Sequence, residues 1–163
     1  MVFGVWFVAT TAATTSATPA NAATARDQGA SKAEALEREA NALFSESSRV
    51  EEAARLFERA AELRDASDPM HFKDLEKAAR LRHYLEDCRK AQKLMERSAN
   101  AALDMGYLVE AARNFTDAAF FAVHASRRAD ADRLFERARV IAGSPLLDAS
   151  QRAALTSRLQ KVG

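Results

Sequence analysis

Val50-Glu51-Glu52-Ala53-Ala54-Arg55-Leu56-Phe57-Glu58-Arg59-Ala60 is the stretch whose reading decides the fold. It contains Ala, then Phe four residues later, then Ala three residues after that. The phrase returns as Ala111-Phe115-Ala118, preceded by Leu108-Val109-Glu110, and again as Ala131-Phe135-Ala138. Positions i, i+4 and i+7 share one face of an α-helix. Small residues on that face admit a neighbouring helix backbone, and the Phe fills the gap between helices. Repeated use of one packing unit points to stacked helical hairpins, an architecture that most often binds other proteins.

The rest of the chain agrees with an all-α reading. It has 163 residues, one domain by length, with only five Gly and three Pro. Apolar and polar residues never alternate over a useful stretch, so no strand is expected. The 24 basic and 23 acidic residues nearly cancel, which argues against a mainly electrostatic nucleic-acid binder.

Residues 1–22 differ from the remainder and carry no charge. Val2 to Val8 is apolar, Ala9 to Ala20 is small and Thr-rich, and Ala20-Asn21-Ala22 has the small-x-small pattern of a signal-peptidase site. The apolar run is too short for a membrane span. This predicts a signal peptide cleaved after Ala22 and a periplasmic or secreted protein, although no Lys or Arg precedes the run. A disordered Ala/Thr tail on a cytosolic helical adaptor is the competing reading. No Cys lies near Ala22, so a lipid anchor is not indicated.

Along the chain, residues 23–30 read as a flexible linker and 31–162 as the helical domain. Ser31-x-x-Glu34 and Ser48-x-x-Glu51 have the capping-box pattern of helix starts, and Asp148-x-x-Gln151 caps the last helix. Ser67-Asp68-Pro69 ends the first hairpin and starts the third helix. From there to Asp104 no breaker is evident. Leu75, Ala78, Leu81, Leu85, Cys88, Ala91, Leu94, Met95, Ala99 and Ala102 continue one stripe. That predicts one unusually long helix, or two stacked end to end near Asp87-Arg89. Gly106 and Gly143 read as helix stops, and Ser126-Arg127-Arg128 as a turn. About six helices result. The length of the third leaves oligomerisation through it open.

These hairpins resemble tetratricopeptide repeats. The resemblance is carried by Ala40, Asn41 and Phe44 followed by Ala53, Phe57 and Ala60. It continues with Met95, Ser98, Ala99 and Ala102, then Gly106, then Ala111, Phe115 and Ala118. A third unit takes Phe115, Ala118, Ala119 and Ala122 with Ala131, Phe135 and Ala138. The units do not keep a strict 34-residue period, Leu108–Ala125 serves two of them, and the family's signature Trp is absent from them. The resemblance implies a right-handed array of antiparallel helical hairpins with a groove that receives a protein or peptide segment. In that register Arg38, Asn41, Ser45 and Glu46 of the first unit, and Glu96, Asn100 and Asp104 of the second, would face the groove. A plain bundle of six helices is the architectural alternative.

Little points to catalysis. No phosphate-binding Gly-rich loop, nucleophile elbow or haem-attachment motif occurs, and no catalytic residue, metal or cofactor is expected for the scaffold. Among His71, His83 and His124, His83 stands at helical spacing from Glu86 and Asp87. That spacing suits a helix-stabilising neighbour and, in a second reading, a small-ligand or metal-binding helical bundle. Cys88, the only cysteine, reads as a small buried core residue at i+4 from Tyr84. Arg80, Arg82, His83, Arg89, Lys90 and Lys93 interleave with Glu76, Glu86, Asp87 and Glu96, as on a salt-bridged solvated face. Phe120 and Phe121 are adjacent and must point different ways. The function expected is a non-enzymatic scaffold of the bacterial cell envelope.

Overall fold

The computed structural model describes residues 19–44 and 46–162, and their Ala-, Leu-, Glu- and Arg-rich runs are helical. The helices are α1 (Pro19–Phe44), α2 (Val50–Leu63), α3 (Pro69–Tyr84), α4 (Cys88–Asp104), α5 (Leu108–His124), α6 (Arg128–Ala142) and α7 (Ala149–Val162). No strand forms among the described residues. None of these helices is long and apolar enough to cross a membrane. Most of the expected signal segment lies outside the described residues.

The expected long third helix is two helices, which makes seven helices rather than six among the described residues. The break is a turn that occurs three times among the described residues. Glu86 adopts φ 62°, Gly106 φ 80° and Ser126 φ 58°, twenty residues apart. In each turn the left-handed residue donates its N–H to the carbonyl three back: Glu86 to His83, Gly106 to Leu103 and Ser126 to Val123, each at 2.9 Å. The next residue donates five back: Asp87 to Arg82 and Tyr107 to Ala102 at 2.9 Å, and Arg127 to Ala122 at 2.8 Å. This paired pattern closes a helix C-terminus and reverses the chain within three residues. Asp87 then caps α4 by accepting from the Lys90 N–H at 3.2 Å. Helices α3 and α4 therefore pack side by side instead of end to end.

Other ends agree with the sequence in part. Asp68 caps α3 by accepting from the Met70 N–H at 2.8 Å, with Pro69 in the first turn. Asp148 and Gln151 form a reciprocal capping box on α7: the Gln151 N–H donates to Asp148 at 2.8 Å, and the Asp148 N–H to Gln151 at 3.0 Å. Ser31 and Ser48 do not start helices. α1 runs unbroken through residues 23–30, expected to be a linker, because this Ala-rich stretch continues the helix. Gly29 lets it approach the end of α2, since a Cβ there would lie 3.1 Å from the Leu63 carbonyl oxygen. α2 begins at Val50 after one 3-10 turn, without a side-chain cap.

Each helix packs on the one before and the one after it. α5 therefore serves both neighbours, which resolves the double use of Leu108–Ala125. The Ala-Phe-Ala faces are all buried, and a fourth copy, Ala91-Met95-Ser98, does the same work on α4. Burial of such faces is the main source of stability in a chain this rich in Ala. Inside the core, Ser98 Oγ donates to the Phe72 carbonyl at 2.7 Å, and Asn114 Nδ2 donates to Ser98 Oγ at 2.9 Å. These bonds satisfy buried polar atoms and tie α3, α4 and α5 together.

Polar bridges between alternate helices define two layers. Glu37–Lys77 (2.6 Å), Arg80–Asp117 (3.5 Å) and Asp117–Arg158 link α1, α3, α5 and α7. Glu58–Lys90 (2.8 Å) and Glu96–Arg133 (2.7 Å) link α2, α4 and α6. At the α1–α2–α3 junction, Arg64 is buried between Glu37 (2.8 Å), Asp68 (3.0 Å) and Asp74 (2.7 Å). Burial pushes the Asp74 carboxyl above the usual range, against the pull of the Arg64 guanidinium, and Asp74 Oδ1 has no hydrogen-bond partner among the described residues.

Two predictions test this account. The Gly106→Ala variant should lose about 1 kcal/mol of stability and Glu86→Gly should gain a similar amount, read from denaturant midpoints. A Cβ on Gly106 meets nothing within 4 Å, so backbone strain alone is at issue. Arg64→Met should cost about 3–5 kcal/mol by stranding Asp74, and adding Asp74→Leu should recover most of it.

Candidate functional site

The residues expected to line a groove fall in two places. Arg38 and Asn41 are exposed on α1, and Ser45 lies outside the described residues. Glu46 is exposed in the short join to α2. Glu96 and Asn100 lie on α4, in the other layer, and are engaged by α6. Arg133 reaches Glu96 through two nitrogens at 2.7 and 3.1 Å, and Arg137 donates to Asn100 Oδ1 at 2.8 Å. Asp104, the last residue of α4, is exposed. The structure thus brings Glu96 and Asn100 together and keeps them apart from Arg38 and Asn41.

The basic cluster read from the sequence is split between α3 and α4, and three of its members are ion-paired. Arg80 pairs with Glu76 at 2.8 Å, while Arg82 and Lys90 both reach Glu58, at 2.7 and 2.8 Å. Of the interleaved carboxylates only Glu76 pairs as the sequence suggested; Arg82 is buried, and it and Lys90 pair with Glu58 of α2 because helix packing brings that carboxylate between them.

A chemically distinct cluster sits at the same end of the molecule as the α3–α4 and α5–α6 turns. His83 is in the last turn of α3, Cys88 is the first residue of α4, and His124 is the last residue of α5. One side-chain donor atom from each lies within 4.8 Å of the other two. His83 Nε2 and His124 Nδ1 are 3.4 Å apart, longer than a good N–H hydrogen bond. Aromatic contacts hold both imidazoles. His83 stacks on Phe121 with centroids 4.4 Å apart and planes 20° apart, and Phe120 packs against His124 at 4.2 Å. Phe121 is core and Phe120 half-buried, so the adjacent pair differs in burial, although both rings lie against His83. Burial, and secondarily the nearby His124, hold the His83 pKa below the ordinary histidine value. His124 is exposed and Cys88 half-buried, leaving the cluster open to solvent. Beside it runs a cleft bounded by Arg80, Asp117, Arg158 and Val162, in which both arginines hold the Asp117 carboxylate.

This grouping departs from the sequence reading. Cys88 is not core, because the turn at Glu86 exposes the start of α4 instead of continuing the apolar stripe. Glu86 and Asp87 are not the close partners of His83: Glu86 occupies the turn and Asp87 caps α4. His124 lies forty-one residues from His83, and only the turn register brings it near. His71 is elsewhere, with Nδ1 2.9 Å from the Ala61 carbonyl oxygen. No protein-family model and no curated protein matches the chain.

Because the folded state disfavours the charged form of His83, unfolding raises its proton uptake at mildly acidic pH. Stability should fall as the pH drops below about 6.5, the ordinary histidine value, with the fall continuing toward the lower folded-state value. A His83→Phe variant should show a shallower decline in melting midpoint between neutral and mildly acidic pH than the native chain.

Proposed function

We propose that the chain is a non-enzymatic interaction module, tetratricopeptide-like in its hairpin array, that works in the bacterial cell envelope and receives a partner segment against its helices. The observation that carries this reading is on α1. Phe44 is 59% exposed and stands one helical turn from Asn41, with Arg38 one turn further back. An exposed aromatic one turn from an amide and two turns from a cation suits an extended or helical segment that offers an apolar side chain and a carboxylate. The layered succession of helices supports the same reading, since such arrays present long surfaces built from successive helices. The residue pattern before Ala23 supports export.

Capture of crosslinked partners by the tagged protein from envelope extracts tests this proposal. Arg38→Glu and Phe44→Ser should each reduce recovery of the same partner about tenfold or more, with helicity unchanged. Arg55→Glu, an exposed change on α2, should leave recovery intact. Equal recovery by all three variants would remove the α1 surface from the interface. The N-terminal peptide of the same sample should begin at Ala23.

A further inference from the structure

We propose that His83, Cys88 and His124 form a binding site for one borderline or soft d-block ion, with Zn(II) as the reference ligand. The inference is independent of the α1 interface. Two imidazoles and a thiol are the donor set that such ions take. Tetrahedral Zn–N bonds of about 2.0–2.1 Å place two nitrogens roughly 3.3–3.4 Å apart, and a Zn–S bond near 2.3 Å places sulfur roughly 3.5 Å from each. The His83 Nε2 to His124 Nδ1 separation is 3.4 Å, which already matches one edge of that tetrahedron. The thiol lies within 4.8 Å of the other two donors, so closing the third corner requires Cys88 Sγ to move inward by about 1 Å from that limit to an edge of roughly 3.5 Å.

The ligands are also positioned. Phe121 stacked beneath His83 and Phe120 against His124 restrict the two rings. Cys88 is presented by the tight turn at Glu86, only five residues after His83. The two equivalent turns carry no such set: Leu103 and Leu108 flank one, and Val123 and Arg128 the other. The donors are therefore a local departure from the repeated pattern. Three protein ligands leave a fourth position facing solvent, where His124 is exposed, so water or a ligand atom from another molecule can complete the shell. On binding, the ion displaces the thiol proton to solvent and the neutral imidazoles donate lone pairs.

The test uses the full chain without a histidine tag, stripped of metal and titrated with Zn(II) by calorimetry and with Co(II) by absorption. One ion per chain is expected, with a thiolate-to-cobalt charge-transfer band. Cys88→Ser should abolish that band, and His124→Ala should weaken Zn(II) binding by at least about tenfold while circular dichroism stays unchanged. His124 is exposed, so this variant remains informative even if His83→Ala unfolds. Absence of saturable one-to-one binding, or binding that survives both Cys88→Ser and His124→Ala, would overturn the proposal.

Discussion

The architecture depends on one backbone constraint, the left-handed residue that ends α3, α4 and α5. Each such residue allows two crossed N–H bonds to close the helix and return the chain within three residues. Because the three recur twenty residues apart, successive helices have nearly equal length and meet face to face in the same register. Gly106 adopts this conformation freely, whereas Glu86 and Ser126 carry a Cβ penalty that the surrounding packing has to offset.

What the turns align, small side chains then hold. Small residues at the first and last positions of each buried phrase, Ala throughout except Ser98 on α4, let helices approach closely, and Phe57, Phe115, Phe135 or Met95 fills the space between them. Long polar side chains span the distance to the next-but-one helix, as in Glu96–Arg133 and Arg80–Asp117. Exposed pairs of this kind add little energy individually, but they mark which helices share a layer. Buried Arg64 is different: it gathers three carboxylates where α1, α2 and α3 meet, so its contribution lies in specifying that junction as much as in stability.

The candidate metal cluster arises from the same geometry. A three-residue reversal places the first residue of α4 beside the last turn of α3. A second helix-and-turn cycle returns α5 to the same end of the molecule, so that His124 arrives next to His83. The cluster was not legible in the sequence because its members are joined by register, not spacing. His83 with Glu86 and Asp87 satisfied helical periodicity only on the assumption that the helix continued. The break at residues 85–87 was readable only as an end-to-end join near Asp87-Arg89, and the reversal was hidden: Glu86 does the work that Gly106 announces plainly, and Met95 and Ser98 disguise the fourth packing phrase. The Asp68-Pro69 start and the Asp148–Gln151 cap were readable because each depends on local chemistry alone. Ser31 carries the same motif but lies inside the unbroken α1, and Ser48 lies within the 3-10 turn that precedes α2.

By itself the sequence determined the helical class, the buried Ala-Phe-Ala faces and the helix ends set by Pro, Gly106 and side-chain caps. These depend on propensity and periodicity, which act over a few residues. Tertiary structure alone decided the number of helices, the two layers, the burial of Arg64 with Asp74 and the meeting of His83, Cys88 and His124. Those features depend on how turn register adds up over forty residues, and on which partners compete for each side chain once distant helices are packed together.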